Sequence, residues 1–140
     1  MKVCEIGRHT LVYGDDGVSV MTYRGDVSVE EMKAILETEE LPQVPDVVML
    51  ICDMREMGKI APEARSMGAR NPKPAKRYLT AYVGASFAVR VVAEMWSRAT
   101  NVLQGKKYVV EFFHDHESAR AWLLAEKAAF LQGANHLGKK

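Results

Sequence analysis

The chain has 140 residues, a length typical of one domain that can bury a hydrophobic core of its own. Apolar residues make up 48% of the chain and charged residues 26%, as in an ordinary globular protein, and the formal net charge is +1. No global field attracts nucleic acid or a membrane surface, so we expect neither nucleic-acid binding nor stable membrane insertion.

Signals for a leader peptide and for a disulfide framework are both weak. The first residues contain no apolar run of signal-peptide length. Cys4 and Cys52 are the two cysteines; Cys52 lies inside the most apolar segment of the chain and is interpreted as a small buried hydrophobe. A disulfide between them is the alternative, but a reducing cytoplasm is the compartment we expect.

Two β-prone segments early in the chain predict a hairpin. Residues 9–13 and 18–24 are rich in β-branched and aromatic side chains, and 14–17 separates them with the Asp-Gly pair that favours tight turns. Ser28 then begins a helix, because Ser28 and Glu31 have the spacing of a capping box.

The most uniformly apolar segment, residues 47–53, predicts the central strand. Six apolar residues without polar alternation need cover on both faces, as in an inner and largely parallel strand. The segment is too short to cross a bilayer, which takes about 20 residues. Residues 54–59 are interpreted as a loop, and Pro62 as the first turn of a short helix over 62–70.

Two further strand–helix units are predicted in the second half. Residues 77–83 and 108–113 have strand character. The longest helix, about 87–103, starts at Ser86 as N-cap, and Asp115 caps the last helix. An apolar stripe on the longest helix is interpreted as the face that packs on the sheet. It comprises Ala88, Val92, Met95, Ala99 and Val102, and it is widened by Val91, Trp96 and Leu103.

The resulting element order is β-β-α-β-α-β-α-β-α, which predicts an α/β fold. Strands that alternate with helices are parallel and joined by right-handed crossovers, and the opening hairpin adds one antiparallel pair. We expect a mixed, mostly parallel five-stranded sheet with about four helices. The domain is expected to span 1–132, with 133–140 as a flexible C-terminal tail.

This order, together with three stretches of sequence, resembles the SpoIIAA-like fold of STAS domains and of small related bacterial proteins. The stretches are 20–28, 48–55 and 112–123, and the last contains an F-x-x-x-x-x-A-x-x-W-L pattern similar to the ending of small uncharacterised members. The resemblance implies a non-catalytic regulatory or protein-interaction module without a cofactor. As the alternative, it implies a module that binds or senses a small apolar or anionic, lipid-like molecule.

One departure from STAS anti-sigma-factor antagonists affects the expected partner. Those proteins have a phosphorylatable Ser at the start of the helix after the central strand. Here residues 59–63 read Lys-Ile-Ala-Pro-Glu and contain no hydroxyl, and Ser66 lies one turn further along. The phosphorylation switch is therefore not carried over, which argues against an anti-sigma-factor partner.

Asp53 and Arg55 are the first candidate residues for binding a ligand or partner. They lie where the central strand is predicted to end, and parallel α/β sheets bind ligands at the carboxyl ends of their strands. The alternative, which we favour, is that Asp53 accepts hydrogen bonds from backbone N–H groups of the residues that follow it.

Gly84, Ser86 and Arg77 form the second candidate group. Free backbone N–H groups at a helix N-terminus attract anions, and residues 64–93 contain six basic side chains and no acidic one. Together they can hold a phosphate, a carboxylate or a lipid head group. The alternative is an ordinary turn beside solvated basic side chains.

His114 and His116 are interpreted as a polar strand end and not as a metal site. Alternate residues of a strand share a face, so both imidazoles can reach one ion, but a zinc site needs three or four ligands and the sequence provides no third. No spacing of a catalytic nucleophile with its base, of paired carboxylates or of a phosphate loop is present. We therefore expect no metal site and no catalytic residue.

The uneven charge distribution suggests self-association. Residues 26–63 hold ten acidic and three basic side chains, whereas 64–93 are purely basic among their charged residues. An acidic side of one subunit can dock on the basic side of another, with Arg70, Lys73 and Lys76 as the basic residues. Such docking would give a homodimer or recruit an acidic partner; the alternative is that the two halves neutralise each other within one molecule.

Overall fold

The computed structural model describes residues 2–38, 45–67, 75–104 and 108–138. Helices and strands alternate in it from the third strand onward. In chain order, the elements are β1 (Lys2–Ile6), β2 (His9–Tyr13), β3 (Val18–Val27), α1 (Val29–Thr38), β4 (Val47–Ile60), α2 (Pro62–Met67), β5 (Arg77–Val83), α3 (Phe87–Gln104), β6 (Tyr108–Phe113) and α4 (His116–Gly138).

The strands form one mixed sheet whose spatial order follows the chain, β1-β2-β3-β4-β5-β6. The pairs β1–β2 and β2–β3 are antiparallel, and the other three pairs are parallel. The predicted α/β fold is confirmed, but the sheet has six strands and not five. The missed strand, β1, is a short edge strand that pairs with β2 from Lys2–Tyr13 to Ile6–His9. Its residues are mostly exposed, so it leaves little apolar pattern in the sequence.

Helix α4 covers one face of the sheet. Ala119 and Leu123 of this helix are fully buried against side chains of the central strands. Trp122 packs beside them against Phe113, with ring centroids 5.7 Å apart. The strand side chains buried on this face are Val18, Val47, Met49, Ile51, Leu79, Ala81 and Val83.

Helices α1 and α3 lie on the opposite face. Ile35 of α1 is buried there among Leu11, Met21 and Cys52. Strand β4 is therefore flanked by β3 and β5 and covered from both sides, which confirms the inner strand predicted over 47–53. Successive side chains of a strand point to opposite faces, so an unbroken apolar run is what such a position requires.

The loop predicted over 54–59 is wrong, because β4 continues to Ile60. Beyond Asp53 the strand pairs only with β3, and it carries one extra residue between Asp53 and Glu56 and another between Met57 and Ile60. These bulges and the loss of β5 as a neighbour remove the need for apolar side chains. Residues 54–59 are polar because this part of β4 has a neighbouring strand on one side only, and not because they form a loop.

The two cysteines are far apart and form no disulfide with each other. Cys4 pairs with Leu11, Leu11 with Met21 and Met21 with Cys52, so the thiols lie in one row but three strand spacings apart. That separation is about 14 Å, at about 4.8 Å for each strand. Disulfides need Cα atoms closer than about 7 Å, so the alternative of a Cys4–Cys52 bridge is excluded within one chain.

Helix α3 faces the sheet with a different side from the one predicted. Ala93 and Ser97 of this helix are buried, and Trp96 packs edge-on against Tyr108 with ring centroids 5.1 Å apart. Asn101 fixes this orientation, since its side chain donates to the Tyr108 carbonyl and accepts from the Tyr108 N–H, both at 2.9 Å. The predicted inner stripe is instead exposed at Ala88, Val92, Met95, Ala99 and Val102.

The last helix is longer than predicted. Asp115 caps it as expected, with the Ser118 N–H donating to Asp115 Oδ1 at 2.7 Å. The helix then continues to Gly138, through the first six residues of the tail predicted over 133–140. Lys139 and Lys140 lie outside the described residues, as do residues 68–70 of the helix predicted over 62–70.

Candidate functional site

The parallel pairings of β4 with β5 and of β5 with β6 end in one row of residues, although β4 itself continues to Ile60. Asp53 of β4 is in register with Val83, the last residue of β5, and Val83 is in register with Phe113, the last residue of β6. Gly84 follows Val83 directly, and His116 begins α4 three residues after Phe113. The strand register therefore brings the β5–α3 turn and the start of α4 to the side chain of Asp53.

Asp53 and Arg55 form a two-pronged ion pair at this edge. Arg55 Nη2 donates to Asp53 Oδ2 at 2.7 Å, and Arg55 Nε donates to Oδ1 at 3.0 Å. The Arg55 backbone N–H also donates to Oδ1 at 3.1 Å, which is the backbone contact expected of Asp53. The Asp53 side chain is 7% exposed, whereas that of Arg55 is 58% exposed. A buried carboxylate is thus held by a guanidinium that still reaches solvent.

His116 completes the cluster from the other side of the carboxylate. Its Nε2 lies 2.8 Å from Asp53 Oδ2 and 3.5 Å from Arg55 Nη2. Because an ionised carboxylate only accepts hydrogen bonds, His116 donates through Nε2. Sequence reasoning singled out His116 only as half of a metal motif and missed this contact. The signal that could have found it is Asp115, since a cap at that position makes His116 the first residue of the helix that returns to the sheet.

The ionisation of Asp53 follows from these contacts. Burial alone would raise the pKa of the Asp53 carboxyl group, but hydrogen bonds from Arg55 and His116 outweigh burial and hold that pKa far below its usual range. The same pairing raises the pKa of Arg55. The cluster therefore contains a permanent carboxylate and a permanent guanidinium.

Gly84 is in tight contact with Arg55. Its φ is +71°, a left-handed conformation that favours glycine, and a Cβ atom at this position would overlap Arg55 Cγ. The Gly84 N–H donates to the Phe113 carbonyl at 3.1 Å, so it is not free to bind an anion. Ser86 caps α3, with its Oγ accepting the Val89 N–H at 3.3 Å.

Arg77 is not part of the cluster. It begins β5, seven residues before Gly84, so the two are about 23 Å apart at about 3.3 Å for each residue. Its guanidinium lies 4.9 Å from the centroid of the Phe130 ring of α4. The predicted grouping of Arg77 with Gly84 and Ser86 is therefore wrong. Arg70 and Lys73 lie outside the described residues, and Lys76 is 3.7 Å from Asp46.

A second candidate surface is the outer face of α3, here named the α3 stripe. Phe87 is 81% exposed, Met95 64% and Val102 85%, and Val91 and Val92 are also exposed. These side chains recur at helical spacing, so they form one continuous apolar strip. Single exposed apolar residues are ordinary, but a contiguous row is typical of a binding surface.

The rim of the α3 stripe is charged on one side and apolar on the other. At 100° per residue, Glu94 and Arg98 fall within about 20° of Phe87 at one margin of the stripe, whereas Ala88 and Ala99 lie beside Val92 at the other margin. All six side chains are exposed. Arg90, one turn before Glu94, instead lies over the Phe112 ring, 4.8 Å from its centroid. Two opposite charges therefore stand next to each other along one edge of an apolar strip.

The described part of the chain contains neither a metal-ligand cluster nor a membrane-spanning helix. Residues 2–38, 45–67, 75–104 and 108–138 contain no group of three or more His, Cys, Asp or Glu side chains placed to hold a metal ion. No helix within these ranges has the length and hydropathy that a bilayer-spanning segment needs.

Comparison with known proteins supports the fold alone. No family model and no curated protein matches the sequence. Among solved structures, the chain is similar to an uncharacterised protein of the DUF3478 family from Shewanella loihica PV-4, described as having a SpoIIAA-like fold. The similarity covers 88% of this chain and 98% of that one, with 19% sequence identity and a TM-score of 0.51. The SpoIIAA-like fold that the sequence resemblance implied is thus confirmed.

Proposed function

We propose that the protein is a non-catalytic binding module that acts through protein–protein contact at the α3 stripe. The observation that carries this proposal is the outward position of Phe87, Met95 and Val102 on a helix whose other side is fixed to the sheet. Burial of an exposed apolar side chain of this size is favourable by about 1.5–3 kcal/mol. Formation of a complex that covers the stripe gains this free energy, whereas folding of the isolated chain does not, because the stripe stays exposed.

The partner we propose is a second copy of the chain. Glu94 and Arg98 carry opposite charges on the same rim, so the surface offers both halves of an ion pair and can complement itself. A contact between two helices of this length is small for a protein interface. We therefore expect a monomer–dimer equilibrium with a dissociation constant on the order of 10 μM.

Replacement of Met95 by lysine tests the proposal. A lysine at the middle of the stripe would have to be buried in the dimer, so Met95→Lys is expected to weaken dimerisation at least about tenfold, or 1.4 kcal/mol. Its melting temperature at low concentration should not change, because the site is exposed in the monomer. The measurement is sedimentation equilibrium across a concentration series, with native mass spectrometry as a second readout.

Leu131→Lys is the matched control, since Leu131 is an exposed apolar residue on α4, away from the stripe. It should dimerise as the unaltered chain does. The proposal is overturned if the unaltered chain stays monomeric up to about 0.1 mM, or if both variants dimerise equally well.

A second candidate function is binding of a small anion at Arg55 and His116. The observation that favours it is that Arg55 uses Nε and Nη2 for Asp53 while more than half of its side chain remains in solvent beside the imidazole. Against it, Asp53 already neutralises the guanidinium, which weakens its attraction for an anion. This is the ligand-binding alternative that the resemblance also implied.

Inorganic phosphate is the probe for the second candidate. A site of this kind would stabilise the protein by about 1.4 kcal/mol when phosphate is tenfold above its dissociation constant. Thermal unfolding should show that shift in the unaltered chain and in Arg8→Gln, which removes an exposed arginine elsewhere, but not in Arg55→Gln. An equal shift in both variants would show general anion effects and remove this candidate.

A further inference from the structure

We infer that two copies pair through antiparallel α3 helices related by a twofold axis at Met95, and that reciprocal Glu94–Arg98 ion pairs make the assembly sensitive to ionic strength. This inference rests on the proposed function, because it requires that the α3 stripe docks on its own copy. It adds the direction of the two helices, the contacts between them and a condition that controls them.

The spacing of the apolar residues is symmetric about Met95. In an antiparallel pair of helices centred on Met95, two residues face each other when their numbers add up to about 190. Val91 then faces Ala99 of the second copy, and Phe87 faces Val102 within about 1.5 Å along the axis, one residue's rise. Met95 meets its own copy, and on either side of it a larger side chain meets a smaller one, so the stripe packs on itself without two phenyl rings competing for one place.

The rims of the stripe select the antiparallel direction. Antiparallel helices related by a twofold axis bring like rims together, so the charged rim meets the charged rim of the second copy and the apolar rim meets the apolar rim. Glu94 then lies within about 3 Å, along the axis, of Arg98 on the second copy, and Arg98 lies equally near the second Glu94. Both pairs form at once, because the twofold axis repeats every contact.

A parallel pair is disfavoured by the same surface. It would place the charged rim of one helix against the apolar rim of the other, so Glu94 and Arg98 would lose water without gaining a partner. It would also set Phe87 level with Phe87. The contacts of the antiparallel pair include two exposed ion pairs, and screening by salt weakens such pairs.

Cross-linking by engineered cysteines tests the direction of the helices. In a Cys4→Ser background, Met95→Cys is expected to form a disulfide-linked dimer, because the axis brings this residue next to itself. Phe87→Cys alone and Val102→Cys alone should stay unlinked, whereas a mixture of the two should link. A parallel pair also brings Met95 next to itself, so the single Phe87→Cys and Val102→Cys variants decide the direction. Self-linking of Phe87→Cys, with no linking in the mixture, would overturn the antiparallel arrangement and leave the proposed dimer intact.

Charge reversal tests the ion pairs without cysteine chemistry. Glu94→Arg and Arg98→Glu should each weaken dimerisation about tenfold, since each places like charges on facing rims. The double variant Glu94→Arg/Arg98→Glu restores the pairs and should dimerise within about threefold of the unaltered chain. Raising salt from about 50 mM to 500 mM should weaken the unaltered dimer and strengthen both single variants.

The outcomes separate the two proposals. An unaltered chain that never dimerises removes the proposed function together with this inference. A chain that dimerises, but whose single reversals have no effect and whose double variant is no better than either single variant, removes the antiparallel ion pairs alone.

Discussion

Asp53 determines how the carboxyl end of the sheet responds to acid. Its pKa is lowered in the folded state, so the native protein binds fewer protons at this group than the unfolded chain does, and stability from this group rises with pH. That stability is fully present above the pKa of an unfolded aspartate, about 3.9, and is lost as the pH falls below it.

Asp53→Asn is therefore expected to cost about 2 kcal/mol at pH 7, because it removes the buried negative charge and replaces one of the two acceptor oxygens with an NH2 donor that faces Arg55 or His116. The difference from the unaltered chain should shrink as the pH falls from 5 to about 3, and urea unfolding at several pH values measures it. Asp46→Asn is the control: this exposed carboxylate lies 3.7 Å from Lys76, and its loss should cost less than about 1 kcal/mol at any pH. A pH-independent cost for Asp53→Asn would contradict the argument.

Gly84 gives a second prediction about single residues. Gly84→Ala should destabilise the protein by about 1–3 kcal/mol, because it places a Cβ at positive φ and against Arg55 Cγ. Gly133→Ala is the matched change in α4, where the added Cβ meets nothing, and it should stabilise by up to about 1 kcal/mol. Thermal unfolding of the two variants should shift in opposite directions; equal shifts would contradict the proposed contact.

Among elements, α1 shows how far a local signal can be followed from sequence. The predicted capping box is present: the Ser28 N–H donates to Glu31 Oε1 at 3.0 Å, and the Glu31 N–H donates to Ser28 Oγ at 3.1 Å. Glu31 Oε2 also lies 3.4 Å from Nε2 of the buried His9 in β2. The hydrogen bond from the Ser28 backbone is the main reason that the pKa of Glu31 is lowered. The second contact spans 22 positions, which no local pattern reveals.

Ser28→Ala is expected to cost about 1 kcal/mol, as for other lost N-caps. Amide hydrogen exchange should show the effect in the first turn of α1, at Glu31. Ser86→Ala is the control, because Ser86 caps α3 and its loss should raise exchange at Val89 instead. Faster exchange at both helices in either variant would mean global destabilisation and would contradict the local role.

Helix α3 shows where periodicity fails. A 3.6-residue repeat identifies an apolar stripe, but it does not say whether the sheet or another molecule covers it. The orientation is set by Asn101 and by the small residues Ala93 and Ser97, which permit close approach to β6. A polar residue and a serine on the inner side carry no hydrophobic signal, so the larger stripe was assigned to the core. Because the apolar stripe does not pack on the sheet, it is exposed, and it is the surface on which the proposed function rests.

At the scale of the molecule, the alternation of strands and helices was enough to predict the α/β class, a mixed sheet and its inner strand, but not the edge strand β1. The resemblance to the SpoIIAA-like fold depended also on three stretches of sequence. The site was predictable in part: Asp53 and Arg55 follow from their place directly after the apolar run of β4. The position of His116 beside Asp53 depends on the register of β4, β5 and β6. The two residues are far apart in the chain, so no local sequence pattern predicts that contact. Arg77 was grouped wrongly because charge density along the chain says nothing about which end of a strand a residue occupies.

The order of the strands has a consequence for how the protein is made. Every strand lies next to its successor, so during synthesis the sheet can grow by addition at one side as each segment leaves the ribosome. Helix α4 emerges after all six strands, yet Ala119 and Leu123 supply the cover over Met49, Ile51 and Leu79. A nascent chain that has not yet released α4 therefore exposes the inner strands on one side, and it is this unfinished form that would need a chaperone.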